Sequence, residues 1–243
     1  MTDTYDSCNS KQRLVVKAFC PDDEKMSECV NNAETLETRD VFFEISGELF
    51  DTKIEIFYLN EEKFVVDKML KIFIEGLGSS VYAMEDITLP ELVNKLLKLR
   101  NKTISVSESF TAGRVSSAII SIPGASAHFH EGIVAYSNLA KRNRLNVSER
   151  TLCDYGAVSA ECAAEMVNGL LDTNECDIAL STTGIAGPRS DNSNKPVGLC
   201  YFGVGEKGSV RTYELFLKGD RETITETAVR ASLFFAVKAL KYM

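Results

Sequence analysis

Histidine is almost missing from this chain. Two in 243 residues, His128 and His130, are too few for a histidine-rich metal centre. Cysteine is present but unorganised. The seven, at 8, 20, 29, 153, 162, 176 and 200, are odd in number and form no C-x-x-C pair, which fits reduced thiols rather than a disulfide scaffold. No apolar run approaches the roughly 18 residues a membrane span needs. The first twenty residues, MTDTYDSCNSKQRLVVKAFC, contain acids and no apolar h-region, so they do not read as a secretory signal. A cytoplasmic chain with no membrane partner is expected. A surplus of positive charge is absent too: residues 1–100 hold 12 Lys+Arg against 20 Asp+Glu, and residues 101–243 hold 15 against 15. That balance argues against nucleic acid as a partner, because phosphate neutralisation dominates such binding.

Hydrophobic patterning divides what is there. Residues 1–39 are polar with little periodicity and read as a partly ordered lead-in. Residues 40–87 read as a small α+β module. Val41–Ile45 and Lys53–Tyr58 form a hairpin turning between Gly47 and Thr52, followed by a helix over 61–75 and a strand at 80–83. From Thr88, the N-cap of a helix with Pro90 in its first turn and Glu91 three residues on, strands alternate with helices. A late pair of strands, 197–204 and 209–217, precedes a closing helix over 221–242. That order predicts a three-layer α/β/α domain on a mixed sheet over 88–243.

The stretch from Thr103 to Lys141 organises this domain. A β-branched strand runs into a Ser/Glu/Ser cluster and Thr111-Ala112-Gly113, and then into an apolar helix. Unpaired N–H groups at such a helix start point into the turn, so Ser109 has potential oxyanion donors beside it. The next strand–helix junction offers Tyr136 and Lys141. A desolvated lysine can act as base for a serine nucleophile, although a serine in a turn also serves simply as a cap. Thr182–Pro188 is a small-residue loop after a buried strand, either a close-approach site for phosphate or ribose or a plain connection. Arg221, after Gly219-Asp220, is either a bidentate phosphate ligand or a solvated residue beside a cap. His128 and His130 read as surface or packing residues.

SESFTAG (107–113), IPGAS (122–126), GIVAYSNLAK (132–141), YGAVS (155–159), TTGIAGP (182–188), KPVG (195–198) and GDR (219–221) share one order and spacing. It resembles that of the CinA C-terminal domain family, the nicotinamide mononucleotide deamidases. The likeness covers residues 88–243, and residues 40–86 resemble the KH-like connecting domain of full-length CinA proteins. No G-x-x-G is present in that module, and RNA binding is not expected of it. The large N-terminal nucleotide-binding domain of those proteins is expected to be absent. The resemblance implies hydrolysis of the carboxamide of nicotinamide mononucleotide without metal or cofactor, in a homodimer acting on a small nucleotide. Ser109 would be the nucleophile and Tyr136 with Lys141 its proton-handling partners, the lysine favouring the phenolate. Backbone groups of Phe110, Thr111, Ala112 and Gly113 would form the oxyanion hole. Thr183, Gly184, Ala186, Gly187 and Arg221 would hold the nucleotide. The alternative is a catalytically silent pyridine-nucleotide-binding or regulatory protein, suggested by departures from the family pattern. Phe110 stands beside the nucleophile where a cysteine is usual. Ala112 replaces glycine and is expected at negative φ. The loop after Pro188 reads Arg189-Ser190-Asp191-Asn192 without the usual glycines, and Thr225 replaces a second arginine.

Overall fold

The structure, a computed structural model, describes residues 11–19, 22–190 and 194–242. It divides into two units at the Ile87–Thr88 boundary. The first runs β1 (Gln12–Phe19), α1 (Asp23–Glu34), β2 (Val41–Glu48), β3 (Asp51–Tyr58), α2 (Lys63–Leu77) and β4 (Val81–Ala83). Its four strands pair antiparallel in the order β2-β3-β1-β4, the split βαβ arrangement. Val16, Ala18, Ile54 and Ile56 bury one sheet face against Val66, Met69, Phe73 and Leu77 of α2 and Cys29 and Ala33 of α1.

Two expectations change here. The polar lead-in is in fact β1 and α1 from Gln12 onward, with β1 central in the sheet; residues 1–10 lie outside the described chain. Its strand pattern is obscured because Arg13 and Lys17 alternate with the apolar positions and take their partners from Glu55 and Asp51. The hairpin turn is tighter than the sequence suggests. Glu48 pairs with Asp51, and Leu49 (φ 51°) and Phe50 (φ 67°) both take the left-handed conformation of a two-residue turn.

The second unit holds α3 (Leu89–Arg100), β5 (Ile104–Glu108), α4 (Arg114–Ile120), β6 (Phe129–Val134), α5 (Asn138–Leu145), α6 (Glu149–Asp154) and α7 (Ala160–Leu171). After them come β7 (Ile178–Gly184), β8 (Leu199–Glu206), β9 (Ser209–Phe216) and α8 (Arg221–Tyr242). The sheet order is β6-β5-β7-β8-β9, with β6, β5 and β7 parallel and β8 and β9 antiparallel. Helices α3, α4 and α8 pack together, α5 and α6 pack with α7, and α7 and α8 each cover the sheet. This is the expected three-layer α/β/α domain on a mixed sheet. Local signals set several boundaries: Thr88 and Glu91 form a reciprocal capping box, and Ser159 caps α7. Every residue of β5 is buried. The carboxyl ends of β5, β6 and β7 therefore meet at one edge, where the connections of an open α/β sheet leave a crevice. No helix among the described residues is long and apolar enough to cross a membrane.

Candidate active site

Ser109 is the first residue after β5, with its N–H held by the Thr182 carbonyl at 3.0 Å. The turn that follows is built around the buried Glu108 carboxylate. Oε2 accepts from Thr111 Oγ1 (2.7 Å), Gly113 N (2.9 Å) and Val115 N (3.1 Å), and Oε1 accepts from Ser116 N (2.8 Å) and Ser116 Oγ (2.6 Å). One side chain thus satisfies the open end of α4 and pulls the chain into a tight bend. Ala112 is drawn to φ 54° and Gly113 to φ 91°, so the expectation of a negative φ at Ala112 is overturned. The residue is exposed to solvent, and its left-handed backbone costs about 1 kcal/mol. Thr111 Oγ1 also meets Thr182 Oγ1 at 2.7 Å, tying the turn to β7.

Residues 110–113 do not all remain free to donate. Gly113 gives its N–H to Glu108, and Ala112 gives its N–H to the Ser109 carbonyl at 3.3 Å. The amides of Phe110 and Thr111 have no partner among the described residues. The Phe110 ring is buried over Gly184. A Cβ at that glycine would stand 2.9 Å from Phe110 Cε1 and 2.9 Å from Cys200 Sγ. The large residue beside Ser109 is therefore accommodated by the smallest residue on β7.

Lys141, on α5, is 1% exposed. Its Nζ donates to Ser109 Oγ at 2.8 Å, to the Ala135 carbonyl at 2.8 Å and to the Tyr136 carbonyl at 3.5 Å. Burial without a carboxylate partner lowers its pKa below the usual lysine value, and neighbouring Cys162 offsets part of that shift. The Cys162 thiol is itself pushed up by burial to about 11. The expected relay through the phenol differs from this geometry. Lysine touches the serine directly and meets Tyr136 through its backbone, while the Tyr136 side chain is 64% exposed at the cleft wall.

The cleft has a volume of about 320 Å³. Around it the fold gathers Ser109, Phe110, Tyr136, Lys141, Thr183, Gly184, Ala186, Gly187 and Arg221, all singled out from the sequence. Thr183 Oγ1 is committed to the Ala157 carbonyl at 2.6 Å, so that residue braces the wall. Lys195 Nζ braces the same segment through the carbonyls of Tyr155 (2.7 Å) and Val158 (2.5 Å). Arg221 Nη1 donates to the Gly187 carbonyl at 2.7 Å. Thr225 turns its hydroxyl back to the Arg221 carbonyl at 2.7 Å and is buried. The sequence reading missed Glu108 as the organiser of the turn and Arg189 and Asn138 as cleft residues. A carboxylate three residues before a Thr-Ala-Gly helix start was the available signal for the first. His130 Nε2 pairs with Glu175 at 2.9 Å, away from the cleft-lining residues. No group of three or more potential metal ligands is gathered among the described residues.

Comparison with known proteins agrees with this architecture. The profile of the CinA C-terminal domain family matches residues 86–240. A putative competence-damage inducible protein of Caldicellulosiruptor saccharolyticus is 38% identical over 215 residues, which cover 87% of this chain and 51% of that protein. One from Clostridium novyi is 47% identical over 158 residues, 65% of this chain and 38% of that protein. The chain thus spans about half, or less, of the length of these curated relatives. A crystal structure of a CinA superfamily protein from Klebsiella pneumoniae superimposes with a TM-score of 0.62 at 31% identity, covering 64% of this chain and 97% of that one. A competence/damage inducible protein from Agrobacterium tumefaciens gives 0.59 at 32% identity, with 65% and 99% covered. With the family profile covering well over half of its residues, the chain belongs to the CinA C-terminal domain family.

Proposed function

We propose that this protein hydrolyses the carboxamide of nicotinamide mononucleotide, giving nicotinic acid mononucleotide and ammonia, with Ser109 as nucleophile. The observation that carries the reading is the 2.8 Å contact between Lys141 Nζ and Ser109 Oγ, in a cleft that no carboxylate lines among the described residues. A neutral lysine has two N–H bonds and one lone pair. The carbonyls of Ala135 and Tyr136 take the two N–H bonds, which turns the lone pair toward the serine hydroxyl. Burial lowers the proton affinity of the amine, and a base of that kind is available closer to neutral pH.

An amide is a poor electrophile with a poor leaving group, so each step needs help. As Ser109 Oγ bonds to the carboxamide carbon, its proton passes to Lys141 and the carbonyl oxygen becomes an oxyanion. The uncommitted amides of Phe110 and Thr111 are the donors for that charge. The lysine proton then goes to the leaving nitrogen and ammonia departs, with the Tyr136 phenol at the cleft wall as a second proton carrier. Water attacks the resulting ester and Lys141 accepts its proton, then passes it to Ser109 Oγ as the ester C–O bond breaks, which restores the serine hydroxyl and the neutral amine and releases the acid. The loop 184–187 and Arg221 hold the nucleotide portion.

The test is ammonia release from the purified protein given nicotinamide mononucleotide, with nicotinamide and NAD as controls and no metal added. Release from the mononucleotide, abolished in a normally folded Ser109→Ala variant, is the expected result. A fully active Ser109→Ala protein would sink the mechanism. A rise in melting temperature with the mononucleotide but no ammonia would replace the enzyme with a silent binding protein.

A further inference from the structure

The proposed reaction uses neither YGAVS (155–159) nor KPVG (195–198), yet the fold ties the two together. Residues 155–158 lie between α6 and α7, outside any helix or strand, and Ala157 and Val158 line the cleft. A stretch of that kind has no ladder of its own for its carbonyls, which must find other donors. Each of the four is taken by a side chain. Lys195 Nζ donates to the carbonyls of Tyr155 and Val158 at 2.7 and 2.5 Å. Ser159 Oγ donates to that of Gly156 at 2.9 Å, and Thr183 Oγ1 to that of Ala157 at 2.6 Å. Ser159 adjoins the stretch as the N-cap of α7, whereas Thr183 and Lys195 reach it from elsewhere in the chain.

Lys195 opens a strip whose later residues are fixed to the loop at 184–187. Gly198 N donates to the Ile185 carbonyl at 2.8 Å, and Ile185 N donates to the Leu199 carbonyl at 3.0 Å. Val197 packs on Gly187, where a Cβ would stand 2.9 Å from Val197 Cγ1. Ile185, Ala186 and Gly187 also line the cleft. The strip 195–199 therefore holds one lining segment through its main chain and the other through a single side chain. A lysine that ties two carbonyls of one turn would by itself concern only the fold. Here the two carbonyls stand at either end of the 155–158 stretch, and the tie fixes that stretch relative to the loop proposed to hold the nucleotide. Lys195 does not itself line the cleft, so it acts through the main chain it holds.

We infer that Lys195 is a positioning residue, a crossbar that sets the spacing of the 157–158 and 184–187 segments and thereby the fit of the nucleotide in the cleft. The choice of ligand rests on the function proposed above, and binding is therefore measured apart from turnover. In the full chain, Lys195→Met keeps a long side chain and removes its donors. KM for nicotinamide mononucleotide should rise about tenfold while kcat stays within about twofold of wild type, because a fit shared by bound substrate and transition state moves KM alone. Calorimetric titration of the mononucleotide into the Ser109→Ala chain should weaken by the same factor when Lys195→Met is added. Lys195→Arg, whose fork can still span two carbonyls, should recover most of that loss. A fall in kcat at unchanged KM overturns the crossbar, because the damage would then lie at the reacting atoms. An unaltered KM in a protein whose urea midpoint has dropped overturns it too, and leaves Lys195 a purely structural tie. If the wild type releases no ammonia while the calorimetric loss and its recovery hold, the deamidase reading falls and the crossbar stands. Ammonia release by the wild type with Lys195→Met kinetics unaltered removes the crossbar and keeps the enzyme. A chain that neither binds the mononucleotide nor releases ammonia removes both.

Discussion

The sheet of the first unit and the cleft of the second treat positive charge in opposite ways. On the sheet of the first, Arg13 meets Glu55 at 2.6 Å and Asp86 at 3.4 Å, and Lys53 meets the same two acids at 2.9 and 3.6 Å. Lys17 meets Asp51 at 3.4 Å, and that carboxylate also accepts from the buried Tyr82 hydroxyl at 2.7 Å. Every cation of that lattice has an acid beside it. In the cleft of the second unit, Lys141, Arg189 and Arg221 have none among the described residues that line it. The residue types are the same, and only the neighbours differ. Charge neutralised in place serves the sheet, whereas charge left open in the cleft is what the proposed nucleotide ligand would use. Glu108 is the mirror case, a buried carboxylate satisfied by N–H and O–H donors rather than by a cation.

The largest effect expected from this contrast is at Lys141. Lys141→Met keeps the volume of the side chain and removes its lone pair. Ammonia release should fall by about a thousandfold or more, the upper part of the range for lost general-base catalysis. The pH profile sharpens the test. With the neutral amine as the proposed base, activity rises with pH through the folded-state pKa, which burial places below the ordinary lysine value of about 10.4. The same sign applies to stability: for a depressed pKa, the contribution is present above the unfolded value and lost as pH falls through the folded one. A Met variant that retains activity, or a wild-type profile with no rising limb, breaks the assignment of Lys141 as base.

Glu108→Gln comes next. Glutamine keeps one acceptor oxygen but turns an NH₂ group toward donors now satisfied by the second carboxylate oxygen. Leaving such groups buried and unpaired should cost about 3 kcal/mol in urea denaturation. Ammonia release should drop through kcat rather than KM, since in the proposed mechanism the turn carries the nucleophile and the oxyanion donors while the nucleotide is held by another loop. Unchanged stability would mean that the turn holds itself without the carboxylate.

How much of this was readable beforehand follows the range of the interactions. The strands and helices from Thr88 onward carry their signals locally, in caps such as Thr88 and Ser159 and in apolar runs such as Ile178–Leu180. β1 was missed because its evidence is distant: Val16 becomes a core strand residue only opposite Ile54. The residues that line the cleft were individually recognisable, but their contacts were not. A spacing of five between Tyr136 and Lys141 leaves open whether the amine meets the phenol or the carbonyl, and the structure selects the carbonyl. The φ of Ala112 was misjudged because the pull of Glu108 on Gly113, Val115 and Ser116 appears only once the bend has closed.

The smallest effect closes the contrast from the other side. Arg13→Ala in the first unit removes two ion pairs, yet Glu55 and Asp86 both keep Lys53, so no acid is stranded. The Arg13 side chain is 47% exposed, and pairs in that setting are worth about 0–1 kcal/mol, less as salt is added. The expected outcome is a urea midpoint shifted by less than that amount and ammonia release equal to wild type. A loss near 3 kcal/mol would show that the lattice acts as one network rather than as separable pairs. A loss of activity would be the more damaging result, because a fully neutralised cation would then matter to the chemistry as much as an open one.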